Sequence, residues 1–118
     1  MRKANLRFQV LRLLEQQPHL TQRQIAEKLG ISLGGVNYCL RALVEKGFVK
    51  IQNFKGNSNK VRYAYLLTPQ GIYEKSKLTA DFLMRKYREY EALKIEIEEL
   101  SKEMGQMSSI KKEDHEGD

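Results

Sequence analysis

The chain has 118 residues, of which 41% are hydrophobic and 31% charged, so it fits one small globular domain with an appendage and argues against a second core. No apolar run approaches the roughly 18 residues of a membrane span, and the first residues lack the continuous apolar block of a signal peptide. The one cysteine, Cys39, excludes an internal disulfide or a cysteine metal cluster, and we expect a cytoplasmic protein.

The net charge changes sign along the chain. Residues 1–88 contain 17 Lys and Arg against 5 Asp and Glu, whereas residues 89–118 contain 4 against 10. A strongly basic surface favours a polyanion as partner, because binding releases the counterions condensed on phosphates. By itself, the charge count is explained equally well by a lysine-rich surface that only keeps the protein in solution.

Two helices are predicted in the first thirty residues. Apolar residues at helical spacing predict a first helix that runs from near the N-terminus to about Gln16, shortly before Pro18. Thr21 and Gln24 have the spacing of a capping box, which predicts the start of a short second helix. Gly30 is suited to end that helix as its C-terminal cap.

A third helix is predicted between Ser32, a suitable N-cap, and Gly47. Its apolar positions repeat at i, i+4, i+7 and i+8, and they are Val36, Leu40, Leu43 and Val44. Two helices joined by a short turn that contains glycine predict a helix-turn-helix.

Gly34 and Gly35 lie near the start of the third helix, where each costs roughly 1 kcal/mol relative to alanine. They either let the second helix pack closely or let the backbone approach DNA, with free N–H groups that attract phosphate. The face opposite the apolar positions carries residue types that pair with bases or phosphates, such as asparagine with adenine and arginine with guanine. The predicted DNA-binding residues of this helix are Ser32, Gly34, Gly35, Asn37, Tyr38 and Arg41.

After Gly47 the apolar period changes to two: FVKIQNF and VRYAYLL, separated by KGNSNK, predict a β-hairpin. Its basic, polar tip suits a wing that contacts the DNA backbone or an adjacent minor groove, and a solvated turn is the alternative. The predicted DNA-binding residues of the hairpin are Lys55, Asn57, Asn59, Lys60 and Arg62. Tyr63, Tyr65 and Leu67 alternate on one strand and are assigned to the core.

A long helix is predicted from Thr68 and Pro69 to about Gly105, roughly 35 residues or about 50 Å. Its C-terminal part has apolar residues at 3,4 spacing, interrupted at Lys86, which favours pairing with the same helix of a second copy. A solvent-exposed single helix with Glu/Lys pairs is the alternative. The predicted dimerisation residues are Leu83, Tyr90, Leu93, Ile97, Leu100 and Met104.

The predicted fold class is mainly α with a small β-hairpin wing, a winged helix-turn-helix followed by a long C-terminal coiled-coil helix. We expect a DNA-binding domain over residues 1–75 and a dimerisation helix over residues 76–107. The segment SSIKKEDHEGD, residues 108–118, has almost no apolar content and is predicted to be disordered.

Motifs for catalysis or metal binding are missing from the sequence. There is no P-loop, dinucleotide fingerprint, HExxH or cysteine pair, and His19 and His115 are far apart without an obvious carboxylate or thiol partner. Cys39 fits a small half-buried packing position better than a nucleophile. We therefore expect no enzymatic activity, catalytic residue, metal or cofactor.

The stretch LTQRQIAEKLGISLGGVNYCLRALVEKGFVK, the polar wing and LLTPQG together resemble the winged-helix core of the multiple-antibiotic-resistance-regulator (MarR) family of bacterial transcription factors, over roughly residues 6–75. The segment FKGNSNKVRYAYLLTPQGIYEKSKLTADFL, which continues into a glutamate-rich helix, resembles the short subgroup associated with exopolysaccharide biosynthesis loci. The resemblance implies a homodimer on a pseudo-palindromic operator, with residues 32–41 in the recognition helix and residues 55–62 in the wing.

Two features depart from that family. The wing lacks the usual Asp/Arg-rich motif, and one long helix replaces a multi-helix dimer domain, so the sequence gives no support for a small-molecule effector pocket. We predict a homodimeric, sequence-specific transcriptional regulator that binds double-stranded DNA. The alternative is a winged-helix adaptor that binds proteins and has no specific DNA binding.

Overall fold

The computed structural model describes the backbone of residues 2–55 and 61–116, and the side chains of residues 4–53 and 63–107. The elements in chain order are α1 (Arg2–Gln16), α2 (Gln22–Leu29), α3 (Leu33–Glu45), β1 (Val49–Lys55), β2 (Val61–Leu67) and α4 (Pro69–Glu116). The chain divides into two compact units, Met1–Phe82 and Leu83–Asp118. The predicted fold class, mostly helical with a two-stranded hairpin and a long C-terminal helix, is confirmed.

The helix ends in the first unit are set by the residues that the sequence predicted. At the start of α2 the Gln24 N–H donates to Thr21 Oγ1 at 3.1 Å, and the Thr21 N–H donates to Gln24 Oε1 at 2.9 Å. Gly30 then ends α2 with a φ of +66°, a left-handed conformation that glycine adopts at little cost. At the start of α3, Ser32 Oγ accepts from the Gly35 N–H at 3.0 Å. These caps satisfy backbone groups that a helix end otherwise leaves unpaired.

The core of the first unit lies between α1, α2, α3 and the base of the hairpin. Its periodic apolar side chains face inward because the 3.6-residue repeat places them on one side of each helix. Burying each large aliphatic side chain stabilises the fold by about 1.5 to 3 kcal/mol. The buried cluster contains Val10, Leu11, Leu14, Ile25, Ala26, Val36, Leu40, Leu43, Val49 and Tyr65.

The two strands pair antiparallel, with Val49 opposite Leu67 and Ile51 opposite Tyr65. The tip, residues 56–60, lies outside the described residues. Tyr65 is buried, and its backbone N–H donates to the Pro18 carbonyl at 3.1 Å. The assignment of Tyr63 to the core is wrong, since its side chain is 54% exposed. It lies nearer the tip, where the strand extends beyond the side chains of the core.

The start of α4 is fixed against the connection between α3 and β1. Thr68 Oγ1 accepts from the Gly71 N–H at 3.0 Å, and the same hydroxyl donates to the Gly47 carbonyl. The Thr68 N–H also donates to the Phe48 carbonyl at 3.0 Å. A Cβ on Gly71 would lie 1.9 Å from that Phe48 oxygen, so only glycine allows this approach. Thr68 is thus confirmed as the N-cap, with Pro69 in the first turn.

The first turns of α4 also contact α1 within the same unit. The Phe8 and Phe82 rings have their centroids 5.1 Å apart, and Arg7 Nη1 lies 3.4 Å from Glu74 Oε1. These contacts add the beginning of α4 to the first unit, which therefore extends to Phe82.

The helix α4 continues past Gly105 to Glu116, whereas the sequence predicted an end near that glycine and disorder over residues 108–118. One glycine inside a helix costs about 1 kcal/mol, and a helix that is already formed adds residues without a new nucleation step. The three-part division at residues 75 and 107 stays a prediction.

Candidate nucleic-acid interface

One face of α3 points away from the core. Val36, Leu40 and Leu43 are buried, and positions at i, i+3, i+4 and i+7 from Gly34 lie on the opposite side of the helix. Tyr38 is 74% exposed on that side. The structure brings four predicted site residues to this outward face, namely Gly34, Asn37, Tyr38 and Arg41.

The surroundings of the paired glycines bear on both of their explanations. A Cβ on Gly34 would meet no atom within 4 Å, and a Cβ on Gly35 would meet only Ser32 Oγ, at 3.1 Å. At neither position would an added Cβ meet an atom of α2 within 4 Å. Ser32 and Gly35 are joined by the capping hydrogen bond at the edge of the outward face.

Exposed cations occur between the start of α2 and the described part of β1. Arg41 projects from α3, and among the described residues it makes no ion pair or hydrogen bond. The other exposed basic side chains within residues 22–53 are Arg23, Lys28, Lys46 and Lys50. Over residues 22–53 the five exposed cations outnumber the two exposed carboxylates, Glu27 and Glu45, and a net positive charge attracts phosphate.

The predicted wing residues are only partly described. Lys55 pairs with Val61 and Arg62 with Phe54 in the hairpin, while their side chains lie outside the described part of the chain. The same holds for the whole of Asn57, Asn59 and Lys60. Contact between the wing and a partner therefore stays a prediction.

A cleft of about 280 Å³ separates the outward side of α3 from the hairpin. Its lining combines an apolar floor with polar residues from α2 and α3. The lining residues are Gln22, Asn37, Leu40, Arg41, Val44, Glu45, Ile51 and Tyr65.

A chain of hydrogen bonds crosses this cleft. Asn37 Nδ2 donates to Gln22 Oε1 at 3.2 Å, and Gln22 Nε2 donates to the Tyr65 hydroxyl at 3.1 Å. Gln22 is not among the predicted site residues, and Tyr65 is predicted only as a packing residue. No local pattern signals these contacts, since they join residues 15 and 43 positions apart.

The thiol of Cys39 is half-buried on α3, as predicted for a packing residue. Burial raises the pKa of this thiol above its ordinary value, while the nearby positive charge of Arg7 lowers it to a smaller extent. No group of three or more His, Cys, Asp or Glu that could hold a metal occurs within residues the structure describes. In the same part of the chain, no helix is long and apolar enough to cross a membrane.

The second unit exposes an apolar face of its own. The six predicted dimerisation residues have exposed fractions between 50% for Leu83 and 67% for Met104. Tyr87 and Met107, at 57% and 56%, continue the same 3,4 spacing and were missed by the sequence analysis. Tyr87 comes directly after Lys86, the residue at which the predicted spacing is interrupted, and it fills that gap. Met107 extends the apolar face beyond Met104, so the face is longer than predicted.

Comparison with known proteins identifies the fold of the first unit. The family profile described as "Winged helix-turn-helix DNA-binding" matches residues 4–50. The chain contains a winged helix. The hairpin after α3 is the wing.

Several solved structures share this winged helix. The Staphylococcus aureus MepR–DNA complex is 28% identical with a TM-score of 0.56, covering 70% of this chain and 58% of that chain. A MarR family protein of Mycobacterium tuberculosis is 24% identical with a TM-score of 0.57, covering 70% and 60%. The structural neighbours are thus MarR-family regulators.

A curated relative matches over a longer stretch than the family profile. The protein MJ0558 of Methanocaldococcus jannaschii is 34% identical over 84 residues, which are 70% of this chain and 29% of that protein. The chain therefore spans less than a third of the length of this relative.

Proposed function

We propose that the protein is a homodimeric transcriptional regulator of the MarR type that binds a specific DNA sequence through α3 of its winged helix. The observation that supports this most directly is the outward face of α3, where exposed asparagine, tyrosine and arginine side chains lie beside two glycines at which an added Cβ would meet no other helix. A face with these residue types suits the major groove of B-DNA, which is wide enough to admit an α-helix.

Each residue on this face has a separate role in the proposed complex. Asn37 pairs with adenine, Arg41 pairs with guanine or a phosphate, and Tyr38 binds a phosphate oxygen. At the start of α3 the Leu33 and Gly34 N–H groups have no intrahelical acceptor, and Ser32 already caps Gly35. Those N–H groups are suited to a phosphate, and the missing Cβ of Gly34 lets it approach.

The wing adds contacts that depend less on sequence. Lys55, Lys60 and Arg62 are proposed to bind the phosphate backbone or to enter an adjacent minor groove, with Asn57 and Asn59 as hydrogen-bonding partners. Lys50 is exposed on the described part of β1 and extends the same basic surface. This part of the interface is expected to supply affinity that falls steeply with salt.

The exposed apolar face over residues 83–107 is proposed to pair with the same face of a second copy. Its 3,4 spacing is that of a coiled-coil seam, and such a seam is buried by another helix. A two-fold dimer would read two half-sites, separated by about 34 to 36 Å or a multiple of that distance.

The dimer proposal has a matched pair of variants. Ile97→Glu places a charge in the seam, whereas Ile95→Glu places it on the other side of the helix, and both residues are 54% exposed. Sedimentation velocity should show a dimer for the unmodified protein and for Ile95→Glu, and a monomer for Ile97→Glu. A dimer that survives Ile97→Glu would place the interface elsewhere.

The resemblance to the short subgroup extends the proposal to exopolysaccharide biosynthesis genes as targets. The test of function starts without that assumption, by selecting bound duplexes from a randomised library. Fluorescence anisotropy over several salt concentrations then compares the selected duplex, upstream DNA of the protein's own locus and a random duplex. We expect the selected duplex to bind at least about 10³-fold more tightly than the random one. Weak and equal binding to all three would contradict the proposal and favour the protein adaptor.

A further inference from the structure

Three side chains from three elements form a hydrogen-bonded chain that ends at the outward face of α3. The Tyr65 hydroxyl on β2 accepts from Gln22 Nε2 at 3.1 Å, and Gln22 Oε1 accepts from Asn37 Nδ2 at 3.2 Å. The inner end of this chain is held firmly. Tyr65 is only 8% exposed, and its backbone N–H donates to the Pro18 carbonyl at 3.1 Å.

Gln22 is itself fixed in place as the first residue of α2. It follows directly after Thr21, which forms both hydrogen bonds of the capping box. The side-chain amide of Gln22 thus joins α2 to β2, and the backbone of each element is held by hydrogen bonds of its own. Asn37, at the outer end, is exposed and is the only member of the chain that lies on the face proposed to meet DNA.

The bond to Gln22 determines which hydrogen-bonding groups of the Asn37 side chain remain available to a base. An asparagine amide has two N–H donors and one oxygen acceptor, and rotation by 180° about its last bond exchanges their places. The bond to Gln22 uses one N–H, which leaves the other N–H and the oxygen. Adenine presents an acceptor at N7 and a donor at N6 in the major groove, so the remaining pair is its complement.

We propose that Gln22 and Tyr65 are positioning residues for base reading, because their hydrogen bonds restrain the Asn37 side chain, whose remaining N–H and oxygen are complementary to adenine. This inference rests on the proposed function, in which Asn37 contacts a base. It assigns part of the sequence specificity to a buried strand residue and to a helix-turn-helix residue outside the recognition helix. Neither of them needs to touch DNA.

A purely structural role for Tyr65 makes a different prediction. Its ring packs in the core, so removal of the whole side chain would disturb the domain. Tyr65→Phe keeps the ring and removes only the hydroxyl that accepts from Gln22. If packing alone matters, this variant binds DNA with unchanged base preference.

The experiment measures base preference on the duplex obtained by selection. Affinities of the full chain are determined for that duplex and for versions in which each base pair is changed in turn. A further duplex carries 7-deazaadenine, which lacks the N7 acceptor, at the position that Asn37→Ala identifies. The variants are Asn37→Ala, Gln22→Ala and Tyr65→Phe, with Tyr63→Phe as control because that tyrosine is exposed on the same strand.

In Asn37→Ala, the preference for adenine at one base pair should fall by a factor of roughly 5 to 150. Gln22→Ala and Tyr65→Phe should each reduce the preference at the same base pair by roughly 2- to 10-fold, and they should reduce the penalty of 7-deazaadenine. Preference at other base pairs and affinity for random duplex should not change. Tyr63→Phe should keep the full adenine preference.

The outcomes separate the inference from the proposed function. If Asn37→Ala abolishes the preference while Tyr65→Phe and Gln22→Ala retain it, the positioning role is overturned and specific binding stands. If Asn37→Ala changes no base preference on a specifically bound duplex, the inference also fails while the regulator proposal survives. Absence of any specific duplex for the unmodified protein overturns both.

Discussion

Replacing Gly34 with alanine should stabilise the protein and weaken its binding to DNA. The new Cβ would meet no atom within 4 Å, and the glycine does not have the positive φ found at Gly30 and Gly47. Alanine is favoured over glycine in a helix by up to about 1 kcal/mol, which corresponds to roughly 4 to 8 °C in the melting temperature of a domain of this size. The gain lies toward the lower end, since position 34 is in the first turn of α3.

The expected loss of binding follows from the contact that the glycine permits. If a phosphate approaches the Gly34 N–H, an added methyl group holds it away, and one hydrogen bond to a charged group is lost. Such bonds contribute about 1.5 to 3 kcal/mol, so affinity for the selected duplex should fall by roughly 10- to 150-fold. The protein would then be more stable and less active as a DNA-binding protein.

The assay pairs thermal unfolding, followed by circular dichroism, with fluorescence anisotropy on selected and random duplexes. Gly105→Ala is the matched control, because Gly105 is also helical and open to solvent but lies in the second unit. It should raise the melting temperature without changing DNA affinity. A Gly34→Ala protein that binds the selected duplex as tightly as the unmodified protein would refute the reasoning, and a lowered melting temperature would refute its structural part.

Four further outcomes are expected. Gly71→Ala should destabilise the protein by about 1 to 3 kcal/mol in urea unfolding, since its Cβ would lie 1.9 Å from the Phe48 oxygen, and an unchanged unfolding midpoint would contradict that contact. Arg41→Ala should weaken binding to the selected duplex more than binding to the random duplex. Lys55→Ala should reduce the slope of log affinity against log salt concentration by about one on both duplexes. Equal losses for Arg41→Ala would remove its role in specificity. Because burial raises the pKa of Cys39, iodoacetamide at pH 8 should alkylate the folded protein more slowly than the urea-unfolded chain, with the rate rising as pH increases, and equal rates would argue against burial of the thiol.

Much of the fold could be predicted because its signals are local. The caps at Thr21 and Ser32 and the left-handed end at Gly30 depend on residues no more than four positions apart, and the structure confirms each of them. The change in the spacing of apolar residues after Gly47 likewise predicted the hairpin, since a strand buries every second residue and a helix buries one face that repeats every 3.6 residues. The outward face of α3 followed from the same periodicity, because fixing the buried positions also fixes the exposed ones.

By itself, then, the sequence determined the order and ends of the helices, the wing and the face of α3 that is available to a partner. Only the tertiary structure decided which distant residues meet. It placed Tyr65 and Gln22 behind Asn37, brought Gly71 against the Phe48 carbonyl and left Tyr63 outside the core. The physical reason is range: capping and periodicity act between neighbours in the chain, whereas these contacts form only after α1, α2, α3 and the hairpin have packed around one core.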